Sequence, residues 1–339
     1  LKLGYNFNEN NRLSTSYEII DTKVNFDSTP DDKISKANTL THLANITYEN
    51  RNDIALTKVY GNYTDIKRDS KSSFGTSNFR GKVKEYGLNT SIDYLSSSNV
   101  TMGADYKDFE DKEMNKDYDN KGIFISNTNK FFDDKTIFTQ ALRYDKYSDF
   151  ENKTTGKIGI KQYIINDLNI SSNYGTGYNV PNLYQLHDVW AGNDTLQPEK
   201  TKSYDVSIAY EGFSVTYFNT KIKDLIDYNY ATWTYDQMSG TSKLKGTEIA
   251  YKNEVIEDIF LNLSYTNLSA KDAKGDMLLN RPKNKFNFGV DYYGLKDFHF
   301  NVNGEYIGSR ESVNYLSSTQ KTKTGNYTIW NAVVDYDIS

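Results

Sequence analysis

The stretch EYGLNTSIDY (85–94) places Tyr86, Leu88, Ile92 and Tyr94 on one parity and Glu85, Gly87, Asn89, Ser91 and Asp93 on the other. Successive side chains of an extended chain leave on opposite faces, so this period of two requires a strand with one greasy and one wet side. VTMGADY (100–106), SYDVSIAY (203–210), KFNFGVDYY (285–293) and FHFNVNGEY (298–306) repeat it. No window of comparable length shows the i, i+3, i+4 spacing of a helix, so the chain reads as all-β.

The connections narrow the choice. Brief turns are expected at Asn8–Asn11, Glu49–Asp53, Ser96–Asn99, Asp133–Lys135, Asn166–Asp167, Glu211–Gly212, Ile256–Asp258 and Gly294–Lys296. Longer polar stretches alternate with them, at 27–38, 67–81, 111–120, 147–155, 177–201, 227–242, 270–283 and 310–325. This rhythm implies roughly 17 strands. A soluble sandwich has no reason to keep every second connection long. A transmembrane antiparallel β-barrel does, with short periplasmic turns and long outer loops. Tyr48, Tyr94, Phe131, Phe132, Tyr210, Phe213, Tyr292 and Phe298 all lie near the short turns, as an interfacial aromatic girdle would. Strand propensity alone would also enrich aromatics.

Composition fits the barrel. Mean hydropathy is only −0.74 although the chain holds 29 tyrosines, which separates it from disordered polar chains. No run approaches the ~18 apolar residues of a spanning helix. A net charge of −5 gives no reason to expect nucleic acid. Without cysteine, and with His42, His187 and His299 far apart, thiolate and zinc chemistry have nothing to build on. The chain opens mid-pattern with neither methionine nor a signal peptide, which reads as a fragment or a processed chain.

YGTGYNVPNLYQL…LQPEKTKSYDVSIAY (174–210) resembles the segment by which TonB-dependent outer-membrane receptors are recognised. In that family a strand ends in an aromatic-basic-Ala-Pro run. A long loop and an L-x-P-E-x-S/T motif follow. The similarity continues through FNTKIKDLIDY (218–228), KLKGTEIAY (243–251), LLNRPKNKFNFGVDY (278–292) and YIGSRE (306–311), and is greatest to the cobalamin-transporter and colicin-receptor branch. Two positions depart from the pattern: Asn179 replaces the basic residue and Val180 the alanine. The resemblance implies that residues 1–339 are the barrel domain, about 17 of 22 strands. The N-terminal plug and the last strands would be absent, with Trp330–Asp337 as the twentieth strand.

It also implies a function. Such a receptor takes up a metal chelate across the bacterial outer membrane and draws energy from the TonB complex through its plug. Cobalamin and ferric siderophores lead the expected ligands, ahead of haem and oligosaccharides. A passive porin-like or adhesin-like barrel is the alternative. No enzyme is expected: His187 and Asp188 are adjacent, so a strand would aim them apart, and no serine sits in a nucleophile elbow. Ligand contacts are expected from Tyr178, Asn179, Tyr184, Trp190, Asn193, Tyr230 and Trp233, because rigid rings give area at low entropic cost. The same rings would also suit an outer girdle or loop-on-loop packing. Gly175, Gly177 and Pro181 are expected to shape the turn. No cofactor is required, although Asp27, Asp31, Asp32 and Asp65 could gather loop-bound calcium. Asp93, Asp105, Asp205, Asp291 and Glu305 should face a wet lumen and find partners in the absent plug.

Overall fold

A computed structural model describes residues 1–26, 33–95, 97–165, 167–314 and 317–337. Among these, seventeen strands belong to one antiparallel sheet. Two compact units divide the chain. The first holds Leu1–Asn129, Thr139–Gly156 and Val180–Leu196. It carries β1 (Lys2–Asn8), β2 (Asn11–Asn25), β3 (Lys36–Arg51), β4 (Ala55–Ser72), β5 (Gly75–Tyr94) and β6 (Ser98–Asp111). Most of β7 (Lys116–Phe131) and β8 (Thr136–Tyr147), and the short helix α1 (Leu183–His187), also belong to it. From β1 to β7 each strand pairs antiparallel with the next.

The second unit holds most of β9 (Lys153–Ile165), then β10 (Leu168–Asn179), β11 (Glu199–Tyr210), β12 (Phe213–Asn229), β13 (Thr234–Ile256), β14 (Ile259–Lys271), β15 (Asn284–Tyr292) and β16 (Phe298–Ile307). A separate small hairpin, β17 (Glu311–Asn314) and β18 (Ser317–Lys323), precedes the last strand, β19 (Tyr327–Tyr336), which pairs with β16.

On β5 and β11 the two faces are inverted relative to a water-soluble sheet. Tyr86 and Leu88 are 56% and 48% exposed, whereas Glu85, Gly87 and Asn89 beside them are half-buried. On β11, Tyr204, Val206, Ile208 and Tyr210 are exposed while Asp205, Ser207 and Ala209 are half-buried. The strands therefore have no apolar core beneath them. The buried apolar residues described, among them Ala37, Tyr118, Leu183, Leu196, Ala270 and Leu278, all lie at the end away from the short turns.

Several polar stretches expected as long loops are instead strand. β4 and β5 zip together as far as Ser72 and Gly75, leaving only 73–74 as the turn. Likewise 111–120 shrinks to a turn at 112–115, 147–155 to 148–152 and 227–242 to 230–233. Hydropathy marks where lipid ends, but backbone donors and acceptors beyond it still need partners, so the ladder runs on. The stretches 180–198 and 272–283 remain long connections; of the expected 27–38, residues 36–38 are strand and 27–32 lie outside the described residues. On the opposite side the brief turns stand at 9–10, 52–54, 132–135, 211–212 and 257–258 as expected. Gly212 shows why one of them is specified: φ is +81, and a Cβ there would lie 2.4 Å from the Lys252 carbonyl oxygen. Tyr48, Phe131, Tyr210, Phe213 and Phe298 stand exposed on this side.

The inward carboxylates do not wait for a plug. Asp105 takes two hydrogen bonds from Arg143, at 2.7 and 2.8 Å, and Arg143 also donates to Asp145 at 2.8–3.0 Å. Asn173 donates to Asp205 at 2.9 Å, Asn99 to Asp93 at 2.8 Å, His299 meets Asp291 at 2.9 Å, and Lys285 pairs with Glu305. Cross-strand neighbours lie within side-chain reach, so the wall supplies the partners itself.

At the far end of the first unit Tyr118 is buried between Phe109 and Phe150, with ring centroids 4.8 and 5.6 Å away. Burial, then the neighbouring Tyr147, pushes its phenol up from 10 to about 12. The phenol holds its proton more tightly folded than unfolded, so its contribution is complete below pH 10 and lost as pH rises towards about 12. Tyr118→Phe should therefore flatten the fall in stability between those pH values, read as melting temperature against pH.

Candidate functional site

Two sets of residues, one in each unit, are candidates for a functional site, and each is described by itself. In the first unit, Asn182 caps α1 by accepting from the Gln185 amide at 2.8 Å, while Gln185 Oε1 accepts from the Asn182 amide at 3.0 Å. This reciprocal box, set by the PNLYQ run, starts a helix that strand periodicity hides. Leu183, Leu186 and Pro181 are buried beneath it. The Asp188 carboxylate then accepts from the Trp190 and Ala191 amides, and Asn193 accepts from the Thr195 amide and hydroxyl. Asp188 is therefore occupied in shaping the turn, and Asn193 does the same. Tyr184 and Trp190 are left at the surface, Trp190 at 87% exposure.

In the second unit, the end of β10 and the LQPE run are stitched to the β12–β13 hairpin. Glu199 accepts from Asn179 at 2.9 Å with one oxygen and from the Ile226 amide at 2.7 Å with the other. Gln237 accepts from the Gln197 amide at 2.9 Å and donates to the Gln197 and Asp224 carbonyls, both at 2.7 Å. Asp224 sits at φ +60 where the register slips between Lys223 and Leu225, so these side chains satisfy backbone groups that a bulge frees. Tyr178 lies beside Asn179 at the same strand end.

The hairpin tip is built on Asn229. Its Oδ1 accepts from the Ala231 amide at 2.9 Å, its carbonyl from the Trp233 amide at 2.8 Å, and its Nδ2 donates to Asp236 at 2.7 Å. Tyr228 packs edge-on against Tyr230 and Tyr235, at 5.0 and 5.2 Å, and its hydroxyl donates to the Trp233 carbonyl. Trp233, at φ +63, stands 59% exposed at the tip.

Beside this hairpin lies a cleft of about 500 Å³. Asp227, Tyr228, Tyr230, Asp236 and Met238 form one wall, and Asp272, Lys274, Asp276, Met277, Leu278 and Leu279 form the other, with Val313 and Lys321 alongside. The loop wall is held by the Asp272 carboxylate, which accepts from the Lys274 and Asp276 amides at 2.9 Å. Lys321 donates to the Met277 carbonyl at 3.3 Å. Apolar and aromatic walls with a few charged groups are the usual make-up of a small-molecule site.

Of the seven expected ligand residues, Tyr230 lines this cleft and Trp233 shares its hairpin. Tyr178 and Asn179 belong to the same unit. Tyr184, Trp190 and Asn193 belong to the other. The loop wall, Met277–Leu279, was not anticipated, although an apolar triplet within polar 270–283 was a visible signal. Asp27, Asp31 and Asp32 lie outside the described residues. Asp65 is already met by Tyr63 at 3.1 Å, Lys82 at 3.4 Å and Arg80 at 3.5 Å. Among the described residues no group of three or more His, Asp or Glu is placed to hold a metal ion.

A family model described as "TonB dependent receptor-like, beta-barrel" matches residues 1–339. The vitamin B12 transporter BtuB of Vibrio cholerae serotype O1 is 27% identical over 248 residues, covering 70% of this chain and 40% of that protein. The ferric-catecholate import receptor Fiu of E. coli K12 superposes with a TM-score of 0.79 at 14% identity, over 100% of this chain and 67% of that one. A mutant of the ferric enterobactin receptor PfeA of Pseudomonas aeruginosa gives 0.80 at 13% identity, over 100% and 61%. The siderophore receptor PirA of Acinetobacter baumannii gives 0.79 at 15%, over 100% and 64%. The match thus covers well under two thirds of the curated transporter's length.

Proposed function

The chain belongs to the TonB-dependent receptor β-barrel family, and from that premise we propose that it forms the wall and outer mouth of a receptor for energy-coupled uptake of a metal chelate, cobalamin or a ferric siderophore. The observation that carries the reading is the inverted sheet, with Tyr204, Val206, Ile208 and Tyr210 outward and Asp205 and Ser207 inward. Only a lipid solvent favours that arrangement across so many strands. The barrel belongs in the bacterial outer membrane and does no bond chemistry. Its loops bind, its lumen stays polar, and the TonB complex acts through the rest of the receptor.

The ligand would meet the cleft beside the β12–β13 hairpin; Trp190, exposed on the first unit, is a separate candidate contact. Calcium at Asp27, Asp31 and Asp32 is a lesser part of the same proposal, without Asp65, which Lys82 and Arg80 already meet; removal of calcium by a chelator should then weaken ligand binding.

The test is a titration of the full-length receptor with cyanocobalamin and, separately, ferric enterobactin. Saturable binding of one and none of the other assigns the ligand, and binding of neither overturns the reading. Trp190→Ala and Tyr230→Ala should each weaken the productive ligand about tenfold, the scale of one aromatic contact in a binding site. Unchanged affinity removes that residue from the site.

A further inference from the structure

The ladders of the second unit bring together lysines that are scattered in sequence. Lys202 on β11 stands directly opposite Lys221 on β12, Lys221 opposite Lys243 on β13, and Lys243 opposite Lys271 on β14. The four make one row straight across four strands, and Lys245 stands two residues from Lys243 on the same side. All five are exposed, whereas Ser242 and Ala270, on the other parity, are buried and Ile222 and Leu244 half-buried. The row therefore faces outward. Among the described residues none of the five has an ion pair. Thr176, the next position on β10, continues the row without supplying a carboxylate. Like charges directly opposite across a sheet repel, so a native sheet that keeps four in line needs a counter-charge.

What supplies it follows from the residues below. On the same parity, Tyr204, Val206, Ile208 and Tyr210 descend β11, and Tyr217, Val215 and Phe213 descend β12, all on the lipid side. Lys221 stands eight positions above Phe213 beside the short turn, which at a rise of ~3.3 Å and a tilt of ~40° is roughly 20 Å of height. Lys271 stands twelve positions above Ile259 beside its own short turn, roughly 30 Å by the same rise and tilt. The apolar band of such a barrel is about 25 Å tall, so the row straddles its outer rim, at headgroup depth.

We infer that the Lys202–Lys221–Lys243–Lys271 row is a docking surface for the phosphate groups of outer-leaflet lipid. The apolar band below would take the acyl chains of the same molecule while the ammonium groups hold its phosphates. The inference rests on the outer-membrane reading above. It is independent of which chelate is carried.

The experiment uses the full-length receptor in neutral detergent, titrated with bis-phosphorylated lipid A and, separately, with phosphatidylethanolamine and inorganic phosphate. Wild type should bind the bis-phosphorylated lipid in preference to phosphatidylethanolamine. Replacing all four lysines by glutamine should weaken it tenfold or more, with chelate binding unchanged. The pair Lys221→Gln and Lys243→Gln should weaken it about fivefold, and Lys221→Arg with Lys243→Arg should retain it, so a folding defect in the fourfold variant leaves a readable result. Folding of each variant is checked by its heat-shifted gel mobility. Equal lipid affinity in the wild type and the glutamine variants overturns the inference. So does full displacement by inorganic phosphate at matched phosphate concentration, which would mark a free-anion site. Loss of chelate binding by every protein, with the lipid difference intact, would instead count against the proposed uptake function.

Discussion

Arg143→Met is expected to cost about 3–5 kcal/mol of barrel stability, because it leaves two inward carboxylates, Asp105 and Asp145, without their shared cation. Asp105 is 5% exposed at its side chain and Asp145 12%, so water screens neither well. Asn120 donates to Asp145 at 3.2 Å but brings no charge. The strand geometry is shaped around the guanidinium. Gly122 stands opposite Asp105, and a Cβ there would lie 2.0 Å from Arg143 Nη2. The measurement is urea unfolding of the barrel in detergent micelles. Adding Asp105→Asn and Asp145→Asn to Arg143→Met should recover most of the loss. A triple variant as unstable as the single one would show that packing, not charge pairing, sets the effect.

Val206→Arg should lose about 2–4 kcal/mol, the scale for a cation placed near the middle of a lipid-facing strand. Val206 is 45% exposed, so in water the same change would cost little. That contrast makes the substitution a test of the solvent. Ser207→Arg, one residue on, turns to the lumen, and should change stability by less than about 1 kcal/mol, within the range of a polar-site substitution. Equal effects at 206 and 207 would contradict the inverted sheet. Refolding yield into phosphatidylcholine vesicles gives a second reading, since the cation must cross or sit in the bilayer during insertion.

Strand identity was legible because its signal is local. In SYDVSIAY each residue's parity sets its face, whatever the neighbouring strand is. The short turns were legible for the same reason, since Glu211–Gly212 needs a left-handed backbone whatever the rest of the chain does. The extent of the hairpins was not. RDSKSSFGTSNFR reads as a loop because it is polar, yet β4 and β5 pair through it, and pairing depends on register with another strand. The inward charges failed in the same way. Asp105 and Arg143 are 38 residues apart, on β6 and β8, and their contact exists only once β7 is aligned between those two strands.

The candidate site divides likewise. Trp190 and Trp233 could be picked out as rings in polar connections, and both are exposed. Asn179 and Asn193 could be picked out too, but each spends its side chain on a local partner, Glu199 or Thr195. The wall formed by Met277, Leu278 and Leu279 meets Tyr230 only because β13 and β14 end side by side, and that is a matter of ladder length.

Alternation alone determined that the chain is a sheet, which parity faces lipid, and where the chain turns back briefly, because these are properties of a backbone two residues long. Tertiary structure decided how far each hairpin rises, which cation meets which carboxylate, and which lysines stand in a row. Those depend on the register between strands, and a single-residue slip would leave composition and local pattern untouched while exchanging every cross-strand partner.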